Sequence, residues 1–236
     1  MAGLLKIFGT PRVFYAKVLR KLKLVINVYL LKDGFTLEYQ RWVRDRGDET
    51  LRLEYDSLTE KSVVLDIGGY VGEFAGSISM KYNCKVYLFE PHPKYYNICV
   101  DKFRNNPNVI PLNFGLSDIA GTFQLADSEN GSSFLKKGLD DLGVLECKVR
   151  EFFGVMEELK IKHIDLMKIN IEGAEYALLS HILEKDRLNI SDQYQIQFHD
   201  FVTNAKEKRK SIELAFSKTH SRSWCYDFVW ENWKIK

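Results

Sequence analysis

The chain has 236 residues, of which 45% are hydrophobic and 28% charged, and its formal net charge is +2. This length and composition predict one large globular domain with short appendages. No apolar run is long enough to span a bilayer, and the near-neutral charge argues neither for nor against nucleic acid as a partner. The four cysteines form no CxxC pair and no histidine stands at zinc-finger spacing. We therefore expect reduced cysteines and a cytoplasmic protein.

The first 31 residues are predicted to be helical, basic and apolar. Hydrophobic residues are interleaved with basic ones, and no acidic residue precedes Asp33. Such a stretch can lie on an anionic membrane surface; the alternative is a basic helix packed on the domain or a partly ordered arm. No small-residue cleavage site follows its longest apolar run, which argues against a signal peptide. The basic residues are Lys6, Arg12, Lys17, Arg20, Lys21, Lys23 and Lys32.

Residues 33–58 are expected to form a lead-in strand or hairpin, because Phe35, Leu37 and Tyr39 alternate with other residues. We divide the chain into an N-terminal extension, residues 1–58, and a main domain, residues 59–236. Contact with a membrane or a membrane-bound glycan-assembly partner is expected through residues 1–32.

From residue 62 onward, continuous apolar strands alternate with helical patterns. This alternation predicts a doubly wound α/β fold with a mostly parallel sheet covered on both faces, and half-exposed or antiparallel strands near the C-terminus. Strands are predicted at 62–69, 85–91, 109–118 and 163–171, helices at 71–82, 93–106, 149–161, 174–186 and 205–219, a hairpin from 121–127 and 132–137 around Gly131, and alternating strands at 193–201 and 223–233.

Ligands bind at the carboxyl ends of the strands in such sheets, and the turn after the first strand reads LDIGGYVGEF. Gly68, Gly69 and Gly72 allow the backbone to bend tightly and approach a ligand, and the following helix points free N–H groups at it. The dinucleotide pattern GxGxxG is incomplete, because Ile67 falls at its first position. Asp66 suits an ammonium group and would repel a pyrophosphate.

Glu90 follows the second strand, where a carboxylate commonly accepts hydrogen bonds from two ribose hydroxyls. Together with the glycine turn it indicates S-adenosyl-L-methionine. The amino-acid end is expected at 66–72, the ribose at Glu90 and the adenine near 115–118. The predicted cofactor-binding residues are Asp66, Gly68, Gly69, Tyr70, Gly72, Glu90, Ser117 and Asp118.

From these motifs the chain resembles the FkbM-type methyltransferases, a branch of the class I S-adenosylmethionine-dependent enzymes. The resemblance covers about residues 62–200 and rests on VVLDIGGYVGEF, VYLFEPHPKYYNIC, NFGLSD, GTFQL, GSSF and IDLMKINIEGAEYALL. It implies a seven-stranded sheet with an antiparallel last strand. It also implies transfer of a methyl group to a hydroxyl of a sugar, polysaccharide or related natural product. No nucleic acid is expected as a partner.

Two positions depart from the family pattern. Asn170 stands where the family usually has Asp, and Tyr70 lies in a turn that usually reads closer to G-A-N-x-G. An amide cannot act as a base, although it can still donate and accept hydrogen bonds. A protein that binds the cofactor but has lost its chemistry is therefore one alternative, and a nicotinamide dehydrogenase is a more distant one.

Transfer to a hydroxyl benefits from a base. His199 follows a predicted strand on the ligand-binding side and is the leading candidate; a hydrogen-bonded structural histidine is the alternative. Glu172 is the second candidate, with a helix-terminal charge as its alternative. Asn170 completes the predicted catalytic group, Glu175 is assigned a structural role, and no metal site is predicted.

Overall fold

The computed structural model describes residues 33–126 and 144–236. The predictions for residues 1–32 and 132–137 therefore lie outside the described residues. The helices are α1 (Gly34–Arg44), α2 (Glu73–Tyr82), α3 (Pro93–Phe103), α4 (Phe152–Glu158), α5 (Glu175–Glu184) and α6 (Ala205–Thr219). The strands are β1 (Val63–Ile67), β2 (Lys85–Phe89), β3 (Val109–Leu112), β4 (Gly115–Ser117), β5 (Gly121–Ala126), β6 (Val144–Glu151), β7 (Leu166–Ile169), β8 (Gln193–Ile196), β9 (His220–Tyr226) and β10 (Trp230–Ile235).

The main sheet has seven strands in the order β3-β2-β1-β7-β8-β10-β9. The first five are mutually parallel, and β10 runs antiparallel to both β8 and β9. This topology confirms the predicted doubly wound α/β fold and the antiparallel last strand. Ile67 is paired with Phe89 on one side and Ile169 on the other, so β1, β2 and β7 end at the same edge of the sheet.

The core lies on both faces of this sheet, which explains why its central strands are apolar without interruption. Successive side chains of a strand point to opposite faces. Leu65 belongs to the cluster that includes residues of α4 and α5, whereas Val64 packs with Phe74 and Ile78 of α2. All of β1 from Val64 onward is buried, including the charged Asp66.

The hairpin predicted for the start of residues 33–58 is wrong, because residues 34–44 form helix α1. The side chain of Asp33 caps the helix by accepting a hydrogen bond from the Thr36 amide at 3.1 Å. Trp42 is buried against Trp224 and Tyr226. The alternating Phe35, Leu37 and Tyr39 are all exposed. The capping residue Asp33 and the buried Trp42 therefore favour a helix here, whereas the alternation of hydrophobic residues did not indicate the structure.

The predicted third strand, residues 109–118, is divided between two sheets. It stays in the main sheet only as far as Leu112, and β4 joins a second sheet with the order β4-β6-β5. The predicted helix at 149–161 begins at Phe152, since residues 149–151 belong to β6. Glu151 ends that strand and caps α4 by accepting from the amides of Phe153 and Gly154. The hairpin's first strand, β5, is confirmed, and β6 is its described partner.

Residues 223–233, predicted as one alternating strand, are divided between two strands. β9 and β10 form a hairpin whose turn is Asp227–Val229. Phe228 takes the positive φ of 58° that the turn requires. Helix α6 has the predicted bounds. Within residues 33–126 and 144–236, no helix has both the length and the apolar character needed to cross a membrane.

Candidate functional site

A cavity of about 520 Å³ lies at the carboxyl ends of β1, β2 and β7, next to the small second sheet. Glycines, apolar side chains and polar side chains line this cavity. Among the described residues, the wall includes Gly68 and Tyr70 after β1, Glu90 and Pro91 after β2, Asn170, Ile171, Glu172 and Ala174 after β7, and Leu116, Ser117, Asp118, Ile119, Thr122, Phe123 and Val149 from the second sheet and its loops.

Glu90 is buried at the cavity wall, with both carboxylate oxygens engaged. Oε2 accepts a hydrogen bond from the Tyr70 amide at 2.7 Å, and Oε1 accepts one from the His92 amide at 2.9 Å. Burial raises the pKa of this carboxyl to about 7, although the two amides oppose the shift. Because a carboxylate offers about four lone-pair directions, Glu90 can accept further hydrogen bonds from a ligand's hydroxyls.

Asp66 is fully buried and does not line the cavity. Its Oδ1 pairs with Nζ of Lys168 at 2.8 Å, and Nζ also donates to the Gly68 carbonyl at 2.7 Å. Burial lowers the pKa of Lys168, and the Asp66 charge opposes that shift. The ammonium group that Asp66 holds in this structure therefore belongs to the chain itself. Contact between Asp66 and a cofactor ammonium stays a prediction.

The glycines of the first turn allow the protein to pack closely against itself. A Cβ on Gly68, whose φ is 83°, would lie 1.9 Å from the Asn170 carbonyl oxygen. Cβ atoms on Gly69 and Gly72 would lie 2.4 Å from Leu88 and 2.6 Å from Phe103. We expected all three to admit a ligand. Of the three, only Gly68 lines the cavity; Gly69 and Gly72 make room for β2 and α3.

Tyr70 lies at the mouth of the cavity with a backbone φ of 50°. Its ring packs on Tyr95 with 4.4 Å between ring centroids, and 48% of the residue is exposed. Positive φ is uncommon for a bulky residue. The family pattern, in which small or amide residues occupy this turn, matches that backbone conformation better.

The second sheet gives one wall of the cavity an apolar character through Leu116, Phe123 and Val149. Ser117 and Asp118 lie between these residues, and the Ser117 hydroxyl donates to Asp118 Oδ1 at 2.7 Å. This apolar slot with a few polar groups is typical of sites that bind small molecules.

Glu172 and His199 meet beside the cavity. Glu172 has a φ of 51° and lines the wall, with 39% of its side chain exposed. His199 Nε2 lies 3.7 Å from Glu172 Oε2, but the imidazole is only 11% exposed and does not line the cavity. Burial also raises the pKa of Glu172. Of the two predicted bases, Glu172 therefore reaches the cavity and His199 stands behind it.

Asn170 places an unsatisfied acceptor in the cavity wall. Its Oδ1 is buried and has no hydrogen-bond partner within the described part of the chain. Since buried polar atoms are nearly always hydrogen-bonded, this oxygen points to a donor on a ligand.

The structure thus brings together at the cavity most of the predicted site residues: Gly68, Tyr70, Glu90, Ser117, Asp118, Asn170 and Glu172. Asp66, Gly69, Gly72 and His199 lie outside its wall. Sequence reasoning assigned Glu175 a structural role and did not predict its contact with His199; Glu175 is fully buried and bonded to the backbone and ring of His199. Its position three residues after Glu172 was the available signal, because residues at this spacing can share one side of a turn or helix.

Among the described residues, His163, Asp165 and Asp192 bring possible metal-ligand atoms within 4.8 Å of one another. They lie at the amino ends of β7 and β8, which is the sheet edge opposite the cavity. Asp165 already accepts from the Ser62 hydroxyl and the Val63 amide. These structural hydrogen bonds account for the position of Asp165.

Comparison with solved structures finds the same fold in a chain of the fibrillarin/Nop5p complex. The fibrillarin/Nop5p complex contains a chain with 12% identity and a TM-score of 0.51, covering 83% of this chain and 84% of that chain. A putative rRNA methylase from Clostridium thermocellum has 10% identity and a TM-score of 0.48, with 81% and 94% covered. TrmK of M. capricolum in complex with S-adenosyl-homocysteine has 17% identity and a TM-score of 0.38, with 76% and 64% covered.

Comparison with curated proteins gave no significant match. The family model of the methyltransferase FkbM domain matches residues 66–224, which include every residue predicted for the site. The matched region begins at Asp66 and extends into β9, and it contains the whole described cavity wall. The chain therefore belongs to the FkbM family of methyltransferases.

Proposed function

We propose that this protein transfers a methyl group from S-adenosyl-L-methionine to a hydroxyl of a sugar, a polysaccharide or a related natural product. The observation that carries the proposal is the cavity in which Glu90, the apolar slot and the Asn170–Glu172 turn face one another. When bound, the cofactor supplies a methyl group on a sulfonium, which an acceptor oxygen can attack.

The acceptor and apolar groups that line the cavity fit this cofactor. Glu90 has acceptor capacity for two ribose hydroxyls, and Leu116, Phe123 and Val149 offer apolar contact for an adenine. Asn170 Oδ1 lacks a partner and would accept a hydrogen bond from a ligand. A pyrophosphate would find the carboxylate of Glu90 instead of a cation, which supports a nucleoside without phosphates.

The residues around Glu172 suit a hydroxyl acceptor. Glu172 is the carboxylate of this turn that reaches the cavity, and it would take the hydroxyl proton while holding the oxygen for attack. Much of the rate would come from this positioning. Asn170 would orient the acceptor by hydrogen bonds without accepting its proton.

A half-exposed aromatic ring at the cavity supports a sugar as the acceptor. Tyr70 lines the cavity and is 48% exposed. Aromatic faces of this kind pack against the apolar C–H face of a sugar ring while its hydroxyls stay hydrated.

The binding test is calorimetric titration of the wild-type protein with S-adenosylhomocysteine, with NADH as the comparison. We expect binding of the former and not of the latter; the reverse would contradict the proposal. The transfer test is mass spectrometry of a saccharide panel after incubation with methyl-labelled S-adenosylmethionine. Binding without transfer to any hydroxyl would favour a protein that has lost its chemistry at Asn170.

We also propose that the N-terminal region contacts an anionic membrane on its cytoplasmic face. Phe35, Tyr39 and Val43 lie four residues apart on α1 and are 43%, 46% and 56% exposed. They follow a segment whose charged residues are all basic. Apolar side chains next to basic ones suit a surface of anionic lipids.

Vesicle co-sedimentation tests this contact. The full chain should bind anionic vesicles more tightly than neutral ones, and F35S/Y39S/V43S should weaken binding. M80S is the matched control, because Met80 is 85% exposed on α2. Equal binding by the full chain and by a chain without residues 1–32 would contradict the proposal.

A further inference from the structure

Glu175 is a buried carboxylate that fastens the loop carrying His199. It is fully buried at the first residue of α5. Its Oε2 accepts from the Gly173 amide at 2.7 Å, and its Oε1 accepts from the His199 amide at 2.8 Å. Tyr176, the next residue, donates its hydroxyl to the His199 carbonyl at 2.9 Å. The backbone of His199 is therefore held from two directions.

The same carboxylate reaches the imidazole. Glu175 Oε1 lies 3.1 Å from His199 Nδ1. An ionised carboxylate only accepts hydrogen bonds, so Nδ1 of the neutral ring must carry the hydrogen. The free lone pair then lies on Nε2, which faces Glu172 Oε2 at 3.7 Å. Glu172 is in turn part of the cavity wall.

We propose that Glu175 is a positioning residue for methyl transfer: it fixes His199 as the Nδ1–H tautomer and so keeps Nε2 free to share a proton with Glu172. The inference rests on the proposed function. Transfer would form a bond from the acceptor oxygen to the methyl carbon and break the bond from that carbon to sulfur, whose electron pair would go to sulfur. The electron pair of the O–H bond would stay on oxygen, and the proton would pass to the Glu172–His199 pair. The imidazolium formed in this way would be held between Glu175 and Glu172.

The groups facing His199 support this role. Glu175 comes from α5, Glu172 from the turn after β7, and Asp200 from the same loop; Phe201 lies against the ring. Burial lowers the pKa of His199, but the hydrogen bond and charge of Glu175, with Glu172 and Asp200, outweigh it, so that the pKa lies above its ordinary value. Three carboxylates around one imidazole suit a site that stores a proton.

The first test needs no variant. Nitrogen-15 spectra of the wild-type histidine rings, with His199 assigned from H199N, report which ring nitrogen carries the hydrogen at high pH. We expect Nδ1–H for His199. A neutral ring protonated on Nε2 would overturn the proposal. Because these spectra are recorded without cofactor, their outcome is independent of the calorimetric test of the proposed function.

The second test replaces the carboxylate in E175Q. An amide can donate to Nδ1, so we expect the neutral ring to change to the Nε2–H tautomer. We expect kcat to fall about 10²-fold, the lower end of acid–base contributions, with little change in KM or in S-adenosylhomocysteine affinity. The acid limb of the kcat/KM profile should move to lower pH, since the ring loses a negative neighbour and its pKa falls.

E151Q is the matched control. Glu151 Oε1 lies 2.6 Å from Nε2 of His181, a second carboxylate–histidine pair whose members do not line the cavity. This variant should change the His181 signals and leave the acid limb in place. If E175Q lowers thermal stability and activity while the His199 tautomer and the acid limb stay as in the wild type, Glu175 is merely structural and the proposal fails.

Discussion

Gly68 shows how one residue serves both the fold and the site. Its carbonyl accepts from Lys168, its φ is 83°, and its Cα lies so close to the Asn170 carbonyl that no Cβ fits. This close approach joins the ends of β1 and β7, and Asn170 and Glu172 follow directly from it. The position of Asn170 and Glu172 at the cavity thus depends on Gly68 having no side chain.

Gly68→Ala should destabilise the protein by about 1–3 kcal/mol or more, because the new methyl group meets a backbone oxygen and alanine resists a positive φ. The free energy of unfolding in urea measures the loss. Gly34→Ala is the control: nothing lies within 4 Å of that Cβ, and its φ is not positive. It should be neutral or slightly stabilising. Equal stability of the G68A variant and the wild type would contradict the close contact.

Glu90 should make cofactor affinity depend on pH. Burial raises the pKa of this carboxyl to about 7. Under the proposed function, ribose hydroxyls would donate to the ionised form, so binding below that pH would require loss of a proton. Affinity for S-adenosylhomocysteine should therefore weaken as pH falls below about 7, by up to tenfold per unit.

Calorimetric titration across pH 5.5–8.5, an experimental window of about three units around that pKa, tests the prediction. The E90Q variant should bind more weakly at pH 8 and lose the dependence, because a glutamine cannot ionise. Asp66, Lys168 and His92 lie close enough that the variant is needed to assign the effect. An unchanged slope in E90Q would assign the titration to another group.

At the scale of elements, an ion pair fastens α6 to the C-terminal hairpin. Arg209 of α6 donates from Nε to Glu231 of β10 at 3.0 Å, and its guanidinium also reaches Asp227 at 3.1 Å. Both Arg209 and Glu231 are buried. Trp233 donates to the other oxygen of Glu231 at 2.7 Å. Since β10 is the one antiparallel strand between β8 and β9, this pair holds the strand order at that end of the sheet.

Arg209→Met should cost about 3–5 kcal/mol, because it leaves Glu231 buried without its cation. Burial already raises the pKa of Glu231, and Arg209 opposes that shift. In the variant the folded pKa rises further above the unfolded value. The loss of stability should therefore be larger at pH 8 than at pH 5, where the carboxyl is protonated.

Urea unfolding at both pH values measures the effect. Arg104→Met is the control. The Arg104–Asp101 pair lies within one helical turn, and its side chains are 72% and 71% exposed, so the pair contributes little to stability. That variant should change little at either pH. A loss in R209M that is independent of pH would mean that packing of the arginine stem, and not the charge of Glu231, is responsible.

At the scale of the whole molecule, the segment before β1 is part of the packing. Trp42 is 1% exposed among residues of the C-terminal hairpin, and Tyr55 and Leu58 belong to the cluster beneath α2 and α3. The Tyr55 hydroxyl donates to Gln195 in β8, which lies next to β7, the middle strand of the sheet. Residues 33–58 thus contact the C-terminal hairpin and β8 and add to the cluster beneath α2 and α3.

A chain that begins at residue 59 should unfold at a much lower temperature than one that begins at residue 33. Losing Trp42 alone should cost about 3–5 kcal/mol, and Tyr55 and Leu58 add to the loss. Circular dichroism melting of the two truncated chains beside the full chain measures the difference. Equal melting temperatures would show that the domain is complete from residue 59.

The sequence by itself determined what depends on local pattern. Continuous apolar runs bounded by glycine and charge identified β1, β2 and β7, and the bounds of α6 were predicted to the residue. The cavity could be placed because parallel strands all end at one edge. Burial on both faces imposes these patterns on any such sheet. The patterns are therefore visible in the sequence whichever helices cover the strands.

Only the tertiary structure decided which distant groups meet. The alternation at 35–39 predicted a strand, but burial of Trp42 by the C-terminal hairpin decided for a helix. Two of the three turn glycines, Gly69 and Gly72, lie against Leu88 and Phe103, whereas Gly68 lines the cavity. Glu175 contacts His199, 24 residues later, and no local pattern predicted that contact. The physical reason is that these contacts join segments far apart in the chain. Which segments lie side by side depends on the strand order of the sheet, and local periodicity does not determine that order.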